Sequence, residues 1–428
     1  MHRLLQVSIL LFLVAVSATG RVRAVDTRQM AMSPKFRSII VCPVDMTGSL
    51  VDAPPVISLD GNEAIAVTFD HITDERVFLR YELIHCDASW QPEGLVDSEF
   101  LDGFNQAEAD DYAYSQGTVT HYINYRITIP NEQMRPTLPG NYLLRLYAED
   151  APDTTLLQAR FSISENSTRV DADVTSRTDF DYNNRHQQLS IGVDTEHLRI
   201  NSPFSDLKVV VEQDGRSDNS VTVTTPLRVE GKTAVFEHNR ALTFTAGNEY
   251  RRFEVINDHY PGQGVEGIMY AHPFYHHTLY PDYPRADHPY AYDYSRHGRF
   301  LIRLQDSNDS DTEADYVAVH FTLVSPELPQ YDIYIEGDIT GRMLSPESLM
   351  TYDHDRQCYE KTLMLKHGAY GYQYVVRLKG APTTSPALTA PIEGDLYPTR
   401  HEYTVKVYYR IPGERYDRLA GYTVIDMQ

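Results

Sequence analysis

Tryptophan is nearly missing from this chain, which carries one among its 428 residues, and cysteine is scarce at 3. The wide spacing of Cys42, Cys86 and Cys358 excludes a Cys-x-x-Cys metal or redox site. An odd number leaves at least one thiol unpaired within the chain; the three are read either as buried free thiols or with Cys42 and Cys86, both flanking strands of the first unit, as a pair. Basic residues are outnumbered, 38 Lys and Arg against 60 Asp and Glu, for a formal net charge of −22. Nucleic acid and anionic membrane surfaces require a basic face, so neither is expected as a partner. Beyond the N-terminus no stretch approaches the ~18 consecutive apolar residues of a spanning helix, so no direct membrane insertion is expected. Catalytic motifs are missing as well. There is no Gly-x-Ser-x-Gly, no His-Glu-x-x-His and no Gly-x-x-x-x-Gly-Lys. No enzymatic activity, cofactor or small-molecule substrate is therefore expected.

What is present begins with a short basic start, His2 and Arg3, and an apolar run from Leu4 to Val16 followed by small residues. This pattern reads as a secretory signal peptide over residues 1–24, with cleavage after Ala18, Gly20 or Ala24. No cysteine follows closely, so lipid anchoring there is not supported. The mature chain is expected in the periplasm.

Alternating apolar residues then mark strand after strand. Ile65, Val67 and Phe69, then Leu79, Tyr81 and Leu83, then Ile123, Tyr125, Ile127 and Ile129 each share a face. Tyr142, Leu144 and Leu146 follow the turn signal Pro139-Gly140, and Ala159, Phe161 and Ile163 close the unit. In the next stretch, Leu207, Val209 and Val211 end at Asp214-Gly215, a hairpin pair. Pro-rich Ser325 to Pro329 is the clearest linker, and Tyr370, Tyr372 and Tyr374 form a tyrosine ladder beyond it. The expectation is an all-β protein of three consecutive β-sandwich-like domains, the last immunoglobulin-like, over residues 25–165, 166–325 and 326–428. Helix should take less than about a tenth of it.

Tyr81 to Phe104 holds the single Trp in a loop of Asp, Ser, Pro and Gly. A large aromatic there acts either as a lid folded over the core or as an exposed anchor for a partner. The words around it are unusual: His85-Cys86-Asp87, Trp90-Gln91-Pro92, Ser98-Glu99-Phe100 before Gly103-Phe104, and Pro130-Asn131-Glu132. With them the chain resembles the type IX secretion system plug protein family of Bacteroidetes. The likeness continues through Asp206 to Val210, Ala246 to Glu254, His297 to Phe300, Ile392 to Asp395 and Arg415 to Leu419, and lapses between Ala172 and His186. It covers roughly residues 38 to 428. The resemblance implies a non-enzymatic gate at the inner side of the outer membrane, sealing the periplasmic mouth of the type IX translocon barrel when idle. An alternative of another class is a periplasmic glycan-binding β-sandwich protein. The text from Tyr331 to Val376 loosely resembles immunoglobulin-like glycan-binding modules, although it offers Tyr where such modules use Trp.

Tyr270 to His297 is the richest stretch, with five His and seven Tyr. His272 and His276 are spaced i, i+4, which shares a face only on a helix, and Pro273 prevents one. No metal is expected there. Asp306 to Asp315 lacks the glycine of a calcium loop and reads as a solvated turn. Tyr270 to His297 is expected to be a long, Pro-stiffened loop whose Tyr either pack over the domain surface or meet a partner, with Tyr270 to Tyr294 the segment that would contact the translocon. The residues expected in partner contact are Tyr275, His276, His277, Tyr280, Tyr283 and, separately, Trp90.

Overall fold

The structure is a computed structural model that describes residues 26–28 and 30–427. The expected signal peptide lies outside these residues. Strands take 48% of the chain and helix 5%, so the all-β, multi-sandwich expectation holds.

The first sandwich packs two sheets. One orders Phe36–Val44, Ala64–Ile72, Tyr122–Ile129 and Tyr112–Tyr114; the other orders Val56–Ser58, Ala151–Ser164, Gly140–Ala148, Leu79–Cys86 and Ala107–Glu108. Every alternating set read from this part of the sequence points into the core between them, including Ile65, Val67, Tyr81, Ile127, Leu144 and Phe161. Period-two alternation over one buried face fixes register, because a one-residue slip would turn the whole set to solvent. Gly140 is required where two sandwiches meet. Its φ is +147°, and a Cβ there would stand 2.5 Å from His85 Nε2.

The second and third sandwiches are nested, and here the expected boundaries fail. Leu207–Gln213 turns through Asp214-Gly215, both at left-handed φ (52° and 69°), and pairs with Ser220–Val223 as the hairpin signal implies. Its other neighbour is Glu402–Tyr409, which in turn pairs with Arg418–Asp426. This sheet faces one built from Val170–Thr175, His186–Asp194, Thr233–Phe236 and Arg228–Glu230. The third sandwich is inserted between them. Its sheets join Arg251–Val255, Phe300–Ile302 and Tyr331–Glu336 to Gly368–Leu378, and order Val265–Ala271, Phe274–Leu279, Tyr316–Val324, Cys358–Lys366 and Thr351–Asp353. The expected boundary at 325/326 therefore separates Tyr316–Val324 from its antiparallel partner Cys358–Lys366. No immunoglobulin-like unit is confined to residues 326–428. Alternation identifies strands but not their partners, and the two prolines mark only a connection inside one sandwich.

Buried polar links join the three bodies. Between the first and third, Lys366 Nζ lies 2.6 Å from Asp70 Oδ2, both side chains almost fully buried. Tyr316 donates its hydroxyl to the same oxygen at 2.8 Å. Between the first and second, Tyr408 donates to Asn141 Oδ1 at 2.8 Å, the Ala88 amide donates to Asp417 Oδ2 at 3.1 Å, and Val56, Ala88, Val210 and Leu419 pack around Tyr408. At the junction of the second and third, Asp214 pairs with His401 at 2.5 Å and with His297 at 3.2 Å. Burial works against charge on His401, but the Asp214 carboxylate outweighs it and raises the imidazole above its ordinary value. Both ring nitrogens of His401 face acceptors, Asp214 Oδ2 and the Ala246 carbonyl, which requires the doubly protonated ring.

Candidate partner-binding surface

The expected long loop is in part a hairpin. Val265–Ala271 and Phe274–Leu279 pair antiparallel, with Tyr270 opposite Tyr275, and Phe274–Leu279 also pairs in parallel with Tyr316–Val324. Strand alternation then separates the neighbouring histidines. Tyr275, His277 and Leu279 turn inward; Tyr275 is half-buried against the third core, and His277 is fully buried. His276 faces outward but is half-buried, stacked on His320 with 2.8 Å between Nδ1 and Nε2. His277 is thus corrected from a contact residue to an interior one. Tyr280 and Tyr283 are 60% and 58% exposed. Tyr260, Met269, Tyr270, Tyr292 and Tyr294, from the same sandwich, are likewise more than half exposed.

The segment after Leu279 forms no further paired strand until Phe300, yet it is tied down at many points. Asp282 Oδ2 accepts the hydroxyls of Tyr372 and Tyr374 at 2.7 and 2.8 Å, and Oδ1 accepts from Arg251 at 2.6 Å. The tyrosine ladder is accordingly an internal support for this segment. Tyr290 donates to Glu249 at 2.7 Å, Arg252 pairs with Asp293 at 2.5 Å, and the Arg400 guanidinium lies 4.6 Å over the Tyr292 ring. The exposed tyrosines are held on a braced platform, which reduces the entropy lost when a partner docks.

Beneath it, His277 Nε2 and His367 Nε2 both donate to Asp258 Oδ1, at 3.1 and 3.0 Å. Burial would push the Asp258 carboxyl up, but these two hydrogen bonds hold it below the usual carboxylate range. The three side chains offer ligand atoms within 4.8 Å of one another, a spacing that could hold a metal ion. The donor set does not suit one. His367 Nδ1 accepts the Asp315 amide at 3.1 Å, so its proton sits on Nε2, whereas a metal-ligating imidazole donates from its second nitrogen. The trio works as a hydrogen-bonded clamp joining the Asp258 loop to the strand of His277 and to the turn at His367 between Cys358–Lys366 and Gly368–Leu378. Sequence reading missed it because nothing in the local text links Asp258 to His367.

Trp90 lies apart from these residues, in the first sandwich. Asp87 Oδ1 accepts the amides of Ser89 and Gln91 at 2.8 and 2.9 Å, and this turn places Trp90 at φ +62°. Its half-buried ring lies 4.5 Å beneath the Arg160 guanidinium and 5.8 Å from Lys406 Nζ, at the seam with the second sandwich.

The family described as type 9 secretion system plug protein 1st domain matches residues 39–165, which is the first sandwich with Trp90 and its flanking words inside it. The chain belongs to this plug protein family. A crystal structure of a hypothetical protein from Parabacteroides merdae ATCC 43184, at 2.30 Å, is similar over 93% of this chain and 99% of that one, at 39% identity and a TM-score of 0.89. No curated protein matches. Membership makes this a type IX secretion-related, envelope-associated protein, and its all-β sandwich architecture fits a non-catalytic, structural member. No helix among the described residues is long and apolar enough to cross a membrane, which does not bear on barrels.

Proposed function

We propose that this plug-family protein closes the periplasmic mouth of the type IX translocon barrel when no substrate is passing, from the periplasm and against the inner side of the outer membrane. The family match over residues 39–165 carries the reading. Physical considerations support it. A barrel wide enough for folded cargo encloses a continuous water channel, so an idle pore needs a cap. Three sandwiches locked by buried polar links make a stiff cap of the kind required. A cap must also come off, which favours a wet, Tyr-bearing contact over a dry obligate one. The braced Tyr surface has that character. It is mostly neutral in a chain of net charge −22, so it avoids the repulsion that the rest of the surface imposes on an acidic partner. The test is affinity purification of the tagged protein from outer-membrane extracts. Recovery of a large outer-membrane barrel, together with a permeable outer membrane in cells lacking the plug, is expected. A protein that recovers no barrel, or cells whose permeability is unchanged without it, would overturn the proposal.

A further inference from the structure

Arg160 lies on Ala151–Ser164, where the first sandwich meets the other two. Its guanidinium donates to the Thr27 hydroxyl and covers the Trp90 ring. Its Nε is buried and finds no acceptor, and among the described residues no carboxylate pairs with it. The neighbouring cations are all paired: Arg28 with Asp26, Arg296 with Asp52, Arg299 with Glu402, Arg342 with Asp338 and Lys406 with Glu212. A half-buried guanidinium with no carboxylate at ion-pair distance is costly, and here burial pushes the Arg160 pKa down to about 10, with Glu212 and Asp26 opposing from further away. These cations surround a cavity of about 260 Å³ with walls from all three sandwiches, including apolar Leu50, Val51 and Phe300. Trp90 in the same wall is held at a left-handed φ that bulky residues seldom adopt, a form of strain that collects at ligand clamps.

We propose that this three-way cavity binds a small organic carboxylate, its anionic end on the Arg160 guanidinium beside Trp90 and its apolar body against Leu50, Val51 and Phe300. Charge selects the class. One guanidinium is unmatched, which suits one negative charge, and its planar fork matches a carboxylate. A dianion such as phosphate would bring a second charge against Asp52, Glu212, Asp214 and Asp338 in the same wall. Size selects within the class, since the volume falls just below the ~300–1,000 Å³ of typical small-molecule sites. The ligand would touch the first and third sandwiches in a cavity that the second helps to close, and so bind the assembled body. This inference goes beyond the plug reading and does not depend on it.

Trp90 is the only tryptophan in the sequence, so its emission reports on this cavity without a competing signal. The test titrates the purified full chain with sodium hexanoate, 1-hexanol and sodium sulfate. Hexanoate should give a saturable change in the millimolar range or below. Hexanol should need at least about tenfold more, the minimum worth of a charge-assisted hydrogen bond. Arg160→Gln should weaken hexanoate by a similar factor and leave hexanol unchanged. Should Arg160→Gln fail to fold, Val51→Phe, which fills the cavity away from the guanidinium, should weaken both. No saturable response to hexanoate in the wild-type chain, an equal response to hexanol, or sulfate binding as well as hexanoate would each overturn the proposal.

Discussion

Lys366→Met is the sharpest probe of how the first and third sandwiches are held together. Lys366 reaches Asp70 across 296 positions of sequence, donates also to the Asp311 carbonyl at 2.7 Å, and lies 4.1 Å over the Tyr122 ring. Methionine keeps most of the stem and removes the charge. Asp70 is then left with two neutral donors, Tyr316 and Asn124, each at 2.8 Å. Breaking a buried pair from one side costs about 3–5 kcal/mol. At ~2–4 °C per kcal/mol for a cooperative unit of this size, melting should fall by roughly 10 °C. Replacing both partners, Asp70→Asn with Lys366→Met, removes the stranded charge and should recover much of the loss. The pH dependence gives a second check. Burial raises the Asp70 carboxyl above 3.8 even with Lys366 opposing, and removing Lys366 raises it further. A carboxyl with a raised folded pKa binds its proton more tightly when folded, so its stabilisation is present at low pH and lost as pH rises through that value. The penalty of Lys366→Met should therefore shrink as the pH falls from 7 towards 4. Calorimetry on the single and double variants at several pH values makes the comparison. Unchanged melting in the single variant at pH 7, or a double variant as unstable as the single, would refute the reasoning.

The exposed tyrosines should behave differently from their inward neighbour. Truncating Tyr270, Tyr280 and Tyr283 to Ala should leave melting unchanged and weaken barrel co-purification, at ~1–2 kcal/mol per anchoring side chain, whereas Tyr275→Ala should lower the melting temperature by removing core contact. Asp214 is held well below 3.8, since its histidine partners outweigh burial, and His401 is raised above 6.5. The Asp214 share of stability is present above 3.8 and lost as pH falls through its depressed value; the His401 share is present below 6.5 and lost as pH rises through its raised value. Asp214→Asn should therefore differ most from wild type between those limits, as melting curves across pH will show. The three cysteines are free and buried, so the candidate Cys42–Cys86 disulfide is not formed. Burial pushes Cys42 to about 11 and Cys86 to about 12, so a thiol reagent at pH 8 should label them only after unfolding.

The longer strands of the first sandwich were legible in the sequence, because the alternating apolar sets from Ile65 to Ile163 all face its core. The nesting of the other two was not. Val405 and Val407 read as strand residues in any fold, and nothing local says that their neighbours are Val211 and Val209. At the candidate surface, composition points to Tyr280 and Tyr283, which the fold leaves exposed. Recognising the hairpin would have placed His277 inside, since period two from Tyr275 to Leu279 sorts the faces. Trp90 was noticed for its rarity, but its cation neighbours come from residues 160 and 406 and only folding brings them together.

The nested topology also sets an order of assembly. A chain made from its N-terminus can close the first sandwich once Ser164 has emerged. Glu212 can pair locally with Ser220 but must wait for the strand of Lys406, 194 positions later, before the other edge of its sheet is covered. At ~5–20 residues per second that interval is roughly 10–40 s, during which Leu207–Gln213 is an unpaired sheet edge open to the wrong partner. The last two strands, Glu402–Tyr409 and Arg418–Asp426, are thus the closing pieces of a body begun two hundred residues earlier, and a truncation that removes them should leave the middle of the molecule, and not merely its end, unable to form.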